Sequence, residues 1–176
     1  MNRTTKQLTK MALLVALLCV SAYISVPAPW GGIITSLTLV MCLVAFMLSP
    51  KDTFVTLVVY DLMGAIGLPV FAGGAGGFSV ILSPWGGFIL GWPIAYTALS
   101  LLKGKRVNFI SYAWRAVLVS IPVLYIIAVP YFMWVSGNQL TNPEQWYATG
   151  LSMIGFIPGD IIKAIIAAWL ATKIRV

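Results

Sequence analysis

The stretch Gly67–Trp92, GLPVFAGGAGGFSVILSPWGGFILGW, breaks two apolar runs with glycine and proline and contains no charged residue. Glycine permits positive φ and proline removes a backbone donor, so this chain cannot form one uninterrupted helix. A loop in water would carry polar side chains, whereas this one is flanked by Val70, Phe71, Phe78 and Trp85. In a hydrocarbon slab, irregular backbone is tolerated only where protein or a lined cavity satisfies its N–H and C=O groups.

The rest of the chain fits that setting. Of 176 residues, 60% are hydrophobic and 9% charged, with a mean hydropathy of +0.97. A soluble domain is about half apolar and about one quarter charged. The composition therefore predicts an all-α integral membrane protein forming a single transmembrane domain over residues 1–176, with little room for a soluble appendage. Cys19 and Cys42 lie inside apolar runs and read as small hydrophobes. Histidine is absent and carboxylates number four, which argues against a metal site or cofactor and against His-based catalysis.

A spanning helix needs about 20 apolar residues. Hydropathy places six such segments at 8–26, 34–49, 53–68, 84–102, 111–135 and 149–172. The second and third are short and require completion by neighbouring non-helical chain. The basic flank MNRTTKQLTK precedes a long apolar run without a small-residue cleavage site, so the first segment reads as a span rather than a cleaved signal. With both termini cytoplasmic, the inner side collects Arg3, Lys6, Lys10, Lys51, Lys103, Lys105, Arg106, Lys173 and Arg175, with Arg115 just inside segment five. The outer loops then carry Glu144 and no Lys or Arg, as the positive-inside rule demands. The charge of +7 is thus a topology signal and not a nucleic-acid footprint. The glycine-rich loop falls on the outer side, between helices three and four.

Two readings of that loop stand open. FAGGAGGFS, Phe71–Ser79, is either a capping loop whose amides meet a small molecule, through Gly73, Gly74, Gly76 and Gly77, or a flexible outer turn. In SPWGGFILGW, Pro84 suits a first helical turn, while Gly86, Gly87 and Gly91 leave a smooth face for a packed helix or for a ligand.

Charges within the membrane are costly and tend to mark function. In GFIPGDIIKAIIAAW, Asp160 and Lys163 are spaced i, i+3 on one helix face, and Pro158 leaves the Ile154 carbonyl without its usual partner. They form either a self-neutralising pair or a polar site that holds a ligand. Asp61, in VVYDLMGAIG, is buried and protonated or pairs with Lys163 or Arg115. Asp61 and Asp160 together also raise the remote alternative of an intramembrane aspartyl protease, in which two carboxylates share a proton. Against it, the Gly-x-Gly-Asp motif of such proteases has Ile157 at its first position here, and Lys163 opposes proton sharing. On segment one, Ala12, Ala16 and Cys19 make a small-residue stripe suited to another helix of the bundle or to a partner protein.

In order, GAIGLPVFAGGAGG (Gly64–Gly77), PWGGFILGW (Pro84–Trp92) and FIPGDIIKAIIAA (Phe156–Ala168) resemble the BioY family, the biotin-specific substrate-binding (S) components of energy-coupling factor transporters. The resemblance covers nearly the whole chain. It implies a non-enzymatic, multi-pass cell-membrane protein that captures biotin with high affinity and delivers it inward, coupled to a transmembrane protein and a pair of cytoplasmic ATPases. It further implies that Asp160 accepts from a ureido N–H, that Lys163 serves the pocket or pairs with Asp160, and that Gly73–Gly77 line or cover the site. Trp85, Phe88 and Trp92 become apolar walls, and Ala12 and Ala16 a face for the coupling protein.

The chain departs from the family pattern at three places. Ser83–Phe88 stands where the family usually reads Gly-Pro-Thr-Gly-Gly-Tyr, Ala75 where a polar residue is common, and WGGIITSLTL where Pro-x-Pro-Ile-Thr-Leu-Gln opens segment two, with Ser36 near the glutamine position. Each change removes hydrogen-bonding capacity, so an S component for another small vitamin and a stand-alone biotin facilitator are the alternatives. The chain has no Gly-x-x-x-x-Gly-Lys-Ser/Thr loop, so P-loop nucleotide binding is left to partners.

Overall fold

The computed structural model describes residues 4–27, 33–104, 107–137 and 142–174. Arg3, Lys105, Arg106 and Arg175, four of the orienting cations, lie outside these ranges, as does the Trp30–Gly32 opening of segment two. The described chain is mostly helical. Helix α1 (Thr5–Ser21) starts at a capping box formed by Thr4 and Gln7, in which side chains satisfy otherwise orphaned backbone donors. A hairpin of β1 (Ser25–Pro27) and β2 (Ile33–Thr35) follows, then α2 (Leu37–Met47) and α3 (Pro50–Ala65). The glycine-rich stretch contains a 3₁₀ turn at Ala72–Gly74 and the short helix α4 (Phe78–Ile81). Helix α5 (Gly86–Leu102) leads to one long rod made of α6 (Phe109–Arg115), a π-turn (Ala116–Ser120) and α7 (Ile121–Val135). Helices α8 (Pro143–Ile154) and α9 (Ile157–Lys173) complete the described chain.

Several boundaries differ from the hydropathy reading, and each has a local cause. The fold is mostly helical, as the composition predicts, with one short hairpin added. Residues 25–27 and 33–35 pair in antiparallel register, Val26 opposite Ile34, so the first helix ends at Ser21 rather than 26 and the second starts at Leu37 rather than 34. Ser36 ties this turn together, donating its backbone N–H to Ile24 O and its hydroxyl to Ser21 O. The sixth segment is two helices, because the chain breaks at Gly155–Phe156. Pro158 consequently lies in the first turn of α9, where the missing N–H has no intrahelical partner to lose. Pro84 precedes Trp85, the N-cap of α5, and so stands just outside that helix.

The rod Phe109–Val135 is 27 residues long and apolar enough to cross a membrane; α2 and α5 are shorter apolar helices. Five of its buried residues, Tyr112, Ala116, Ser120, Leu124 and Ala128, recur every fourth position. A straight α-helix has 3.6 residues per turn, so such a row would drift around the rod by about 40° per step. The wider π-turn at Ala116–Ser120 takes up part of this drift and keeps the row facing the core.

Close packing explains part of the glycine pattern. The most extensive helix pair is α5 against α7. A Cβ on Gly87 would lie 2.7 Å from Tyr131 Cβ and 3.0 Å from the Ala128 carbonyl oxygen, and one on Gly91 would lie 2.9 Å from Leu124 Cδ1. These two glycines thus serve helix contact. Helix α2 is held between α5 and α9, and its carboxyl end is capped by cations. Lys103 Nζ donates to Ala45 O at 2.9 Å, to Phe46 O at 3.0 Å and to Leu48 O, while Lys10 Nζ donates to Met47 O at 2.9 Å. Cations at a helix C-terminus complement both its orphan carbonyls and its dipole.

Candidate functional site

The fold encloses a cavity of about 280 Å³. That is just below the usual range of small-molecule pockets, roughly 300 to 1,000 Å³. Its polar end is built by four elements. On α9, Lys163 Nζ lies 2.7 Å from Asp160 Oδ1, and both side chains are largely buried. From α2, Thr38 Oγ1 donates to the same Oδ1 at 3.2 Å, and from α7 the Tyr125 hydroxyl donates to Oδ2 at 3.2 Å. Lys163 also donates to the Thr35 carbonyl of β2 at 3.3 Å. The i, i+3 spacing that suggested a shared face is therefore realised, and the carboxylate is bound from three helices. A charge in an apolar core is tolerated when it is paired and hydrogen-bonded, and here Lys163, Thr38 and Tyr125 supply three contacts to the carboxylate.

The rest of the wall is apolar. Trp85 and Phe88 stand 6.1 Å apart, and Trp85 meets Phe132 and Phe156 edge-on at 5.2 and 5.8 Å. Trp92 contributes from the next turn of α5, beside Tyr60 and Phe71 at 6.1 and 6.3 Å. Its indole Nε1 is buried with no hydrogen-bond partner among the described residues. Ile33 and Ile34 bring the hairpin to the cavity, and Val80 and Ser83 bring the segment before α5.

Of the residues singled out by sequence, Asp160, Lys163, Trp85, Phe88 and Trp92 all line the cavity. Gly73, Gly74, Gly76 and Gly77 do not; their neighbours Phe71, Ala72 and Ala75 do. The glycines shape the loop instead. Gly73 and Gly74 adopt φ of +69° and +78°, the left-handed region that other residues enter at a cost, and this tight turn lets Gly73 N–H bond Ala22 O at 3.2 Å. Ala12 and Ala16 are exposed on α1, whose inward face is Met11, Leu14 and Leu18, whereas Cys19, the third residue of the small-residue stripe, packs partly against the core.

Asp61 joins neither proposed partner. Lys163 is committed to Asp160 and Thr35, and Arg115 donates to Lys103 O and stacks over Trp114. Asp61 Oδ1 is buried without a hydrogen-bond partner, and Asp61 does not line the cavity. Asp160 meets an ammonium and two hydroxyls, not a second carboxylate, so the geometry of a proton-sharing aspartyl pair is not assembled. Reading by segment missed Thr35, Thr38 and Tyr125. For Thr38 and Tyr125 the available signal was a hydroxyl within an apolar run, but their convergence on Asp160 spans 122 and 35 residues of chain; Thr35 contributes its backbone carbonyl, which no side chain announces.

Comparison with known proteins bears on the same assembly. The chain is 35% identical over 173 residues to "Probable biotin transporter BioY" of Pyrococcus horikoshii, covering 97% of this chain and 96% of that protein. It is 30% identical to "Biotin transporter BioY" of Rhizobium etli, covering 86% and 80%, and 29% identical to that of Thermotoga maritima, covering 97% and 96%. Its fold matches a crystal structure described as the S-component for biotin from an ECF-type ABC transporter, with a TM-score of 0.84 at 21% identity, covering 99% of this chain and 95% of that one. The sequence also matches the model of the BioY family over residues 1–176, and the chain belongs to that family.

Proposed function

We propose that this protein is the biotin-binding subunit of an ATP-driven, energy-coupling factor type vitamin transporter. The observation that carries the reading is the Asp160–Lys163 pair at the polar end of an otherwise aromatic cavity, in a chain that belongs to the BioY family. Biotin has a ureido ring with two N–H donors and a carbonyl, an apolar thioether ring and a valerate chain. An apolar pocket with a few convergent polar groups suits such a ligand. Asp160 accepts a ureido N–H, Lys163 donates to an oxygen of the ligand, and Trp85, Phe88 and Trp92 pack against the bicyclic ring. The loop Gly73–Gly77 covers the site from outside, through the side chains that its turn positions.

In this reading residues 1–176 form one domain in the cell membrane, with six spans provided by α1, α2, α3, α5, the α6–α7 rod and α9. Both termini face the cytoplasm, as the basic residues at 6, 10, 51, 103 and 173 favour. At about 1.5 Å per residue, the 11 residues of α2 are too few to cross a bilayer alone. The hairpin extends that span with backbone groups paired between its two strands.

Titration calorimetry of the detergent-purified protein tests the assignment: biotin is expected to bind saturably at one site, and a folded protein that binds another small vitamin but not biotin would refute it. The exposed Ala12 and Ala16 are assigned to the coupling protein, which in turn recruits the paired ATPases. Ala12→Leu is expected to leave biotin affinity within twofold of the parent and to lower ATP-driven uptake at least tenfold in vesicles containing all subunits. Equal uptake by the two, or undiminished uptake by this chain without partners, would favour a stand-alone facilitator.

A further inference from the structure

We infer that Tyr125 is a positioning residue that makes the cavity selective for an N–H donor at Asp160. This rests on the biotin reading and adds to it the group that sets the ligand's hydrogen-bond polarity. A carboxylate has two oxygens and about four lone-pair positions. Oδ1 of Asp160 uses two of these, for Lys163 Nζ at 2.7 Å and Thr38 Oγ1 at 3.2 Å. Oδ2 uses one, for the Tyr125 hydroxyl at 3.2 Å. A single acceptor position is left for the ligand, on Oδ2, and its direction is set by where Tyr125 stands.

Tyr125 is itself held. Its ring meets Phe88 edge-on, with centroids 5.6 Å apart and planes at 88°. It follows the π-turn at Ala116–Ser120, which helps keep its neighbour Leu124 in the buried row and thereby sets the rotation of this part of α7. Lys163, a triple donor, spends two protons on Asp160 and Thr35 O and keeps one. The polar end therefore offers one acceptor and one donor side by side. A ring –NH–C(=O)– edge presents the complementary donor and acceptor. An isostere with oxygen in place of that N–H turns a lone pair toward Oδ2 and leaves the remaining acceptor position of the buried carboxylate without a donor, which a site built around hydrogen bonds rejects strongly.

The hydroxyl contact of 3.2 Å is longer than the usual O–H···O distance of about 2.7–2.8 Å, so Tyr125 biases the carboxylate without immobilising it. The expected effect is accordingly about tenfold. The experiment compares biotin with the two cyclic carbamate analogues, each having one ring N–H replaced by oxygen, on the parent, Tyr125→Phe and Thr38→Val. Tyr125→Phe removes one oxygen and keeps the ring against Phe88. It is expected to lower the preference for biotin over the more strongly rejected carbamate about tenfold, while Thr38→Val, acting on Oδ1, leaves that preference within twofold. A merely structural role for Tyr125 would weaken both ligands equally; an unchanged preference in Tyr125→Phe, or an equal fall in Thr38→Val, overturns the inference. A parent protein that binds no biotin would overturn the underlying reading and this inference with it.

Discussion

Lys163→Met is expected to weaken biotin binding at least a hundredfold and to lower the thermal midpoint of the detergent-solubilised protein. Methionine keeps the length and apolar stem of the side chain, so the cavity wall survives while the ammonium is lost. The Asp160 carboxylate would then face two hydroxyls and no cation in a largely apolar chamber. Removing one partner of a buried ion pair costs about 3–5 kcal/mol. Because the two side chains keep 16% and 12% of their exposure, the lower end of that range applies. Asp160→Asn is milder, since the amide oxygen still accepts from a hydroxyl, and a loss of tenfold or more, about 1.4 kcal/mol, is expected. Combining the two changes removes both charges, so the stability loss of the double variant should be smaller than the sum of the single losses. Strict additivity would mean that Asp160 and Lys163 do not act as a unit.

The second large effect is expected at Gly87, in the contact between α5 and α7. Leucine there would drive its Cβ into the backbone of Ala128 and the Cβ of Tyr131, atoms that cannot rotate away. Overpacking a close-packed core costs about 1–3 kcal/mol, and contact with main chain puts this site at the upper end. The consequence reaches the cavity. α7 carries Leu124 and Tyr125, and Tyr131 anchors the segment before α5 by donating to Ile81 O at 2.7 Å. Gly87→Leu should therefore lower the thermal midpoint and biotin affinity together. Gly150→Ala is the control: its added Cβ meets nothing within 4 Å, and alanine favours a helix, so neither quantity should fall. A Gly87→Leu protein as stable as the parent would contradict the close approach of α5 and α7.

Composition and short-range spacing were enough for a membrane-embedded helical chain, for the membership suggested by its three motif blocks, and for the Asp160–Lys163 pair. These depend on the hydropathy of windows and on neighbours three residues apart along a helix, and such properties are local. The hairpin at Ser25–Thr35 escaped because its strands are only 3 residues each and apolar, so they merge into the flanking helical runs. The break at Gly155 escaped for the same reason, since α8 and α9 are both apolar enough to read as one segment. Tertiary structure alone decided that Gly87 and Gly91 serve helix packing and that the glycines of the Phe71–Gly77 loop position Phe71, Ala72 and Ala75. It alone brought Thr38 and Tyr125 to Asp160. The site's charge was legible because its two carriers share one helical turn. Its hydrogen-bond geometry was not, because its groups come from α2, β2, α7 and α9, and only the packing of those elements brings them within hydrogen-bonding distance.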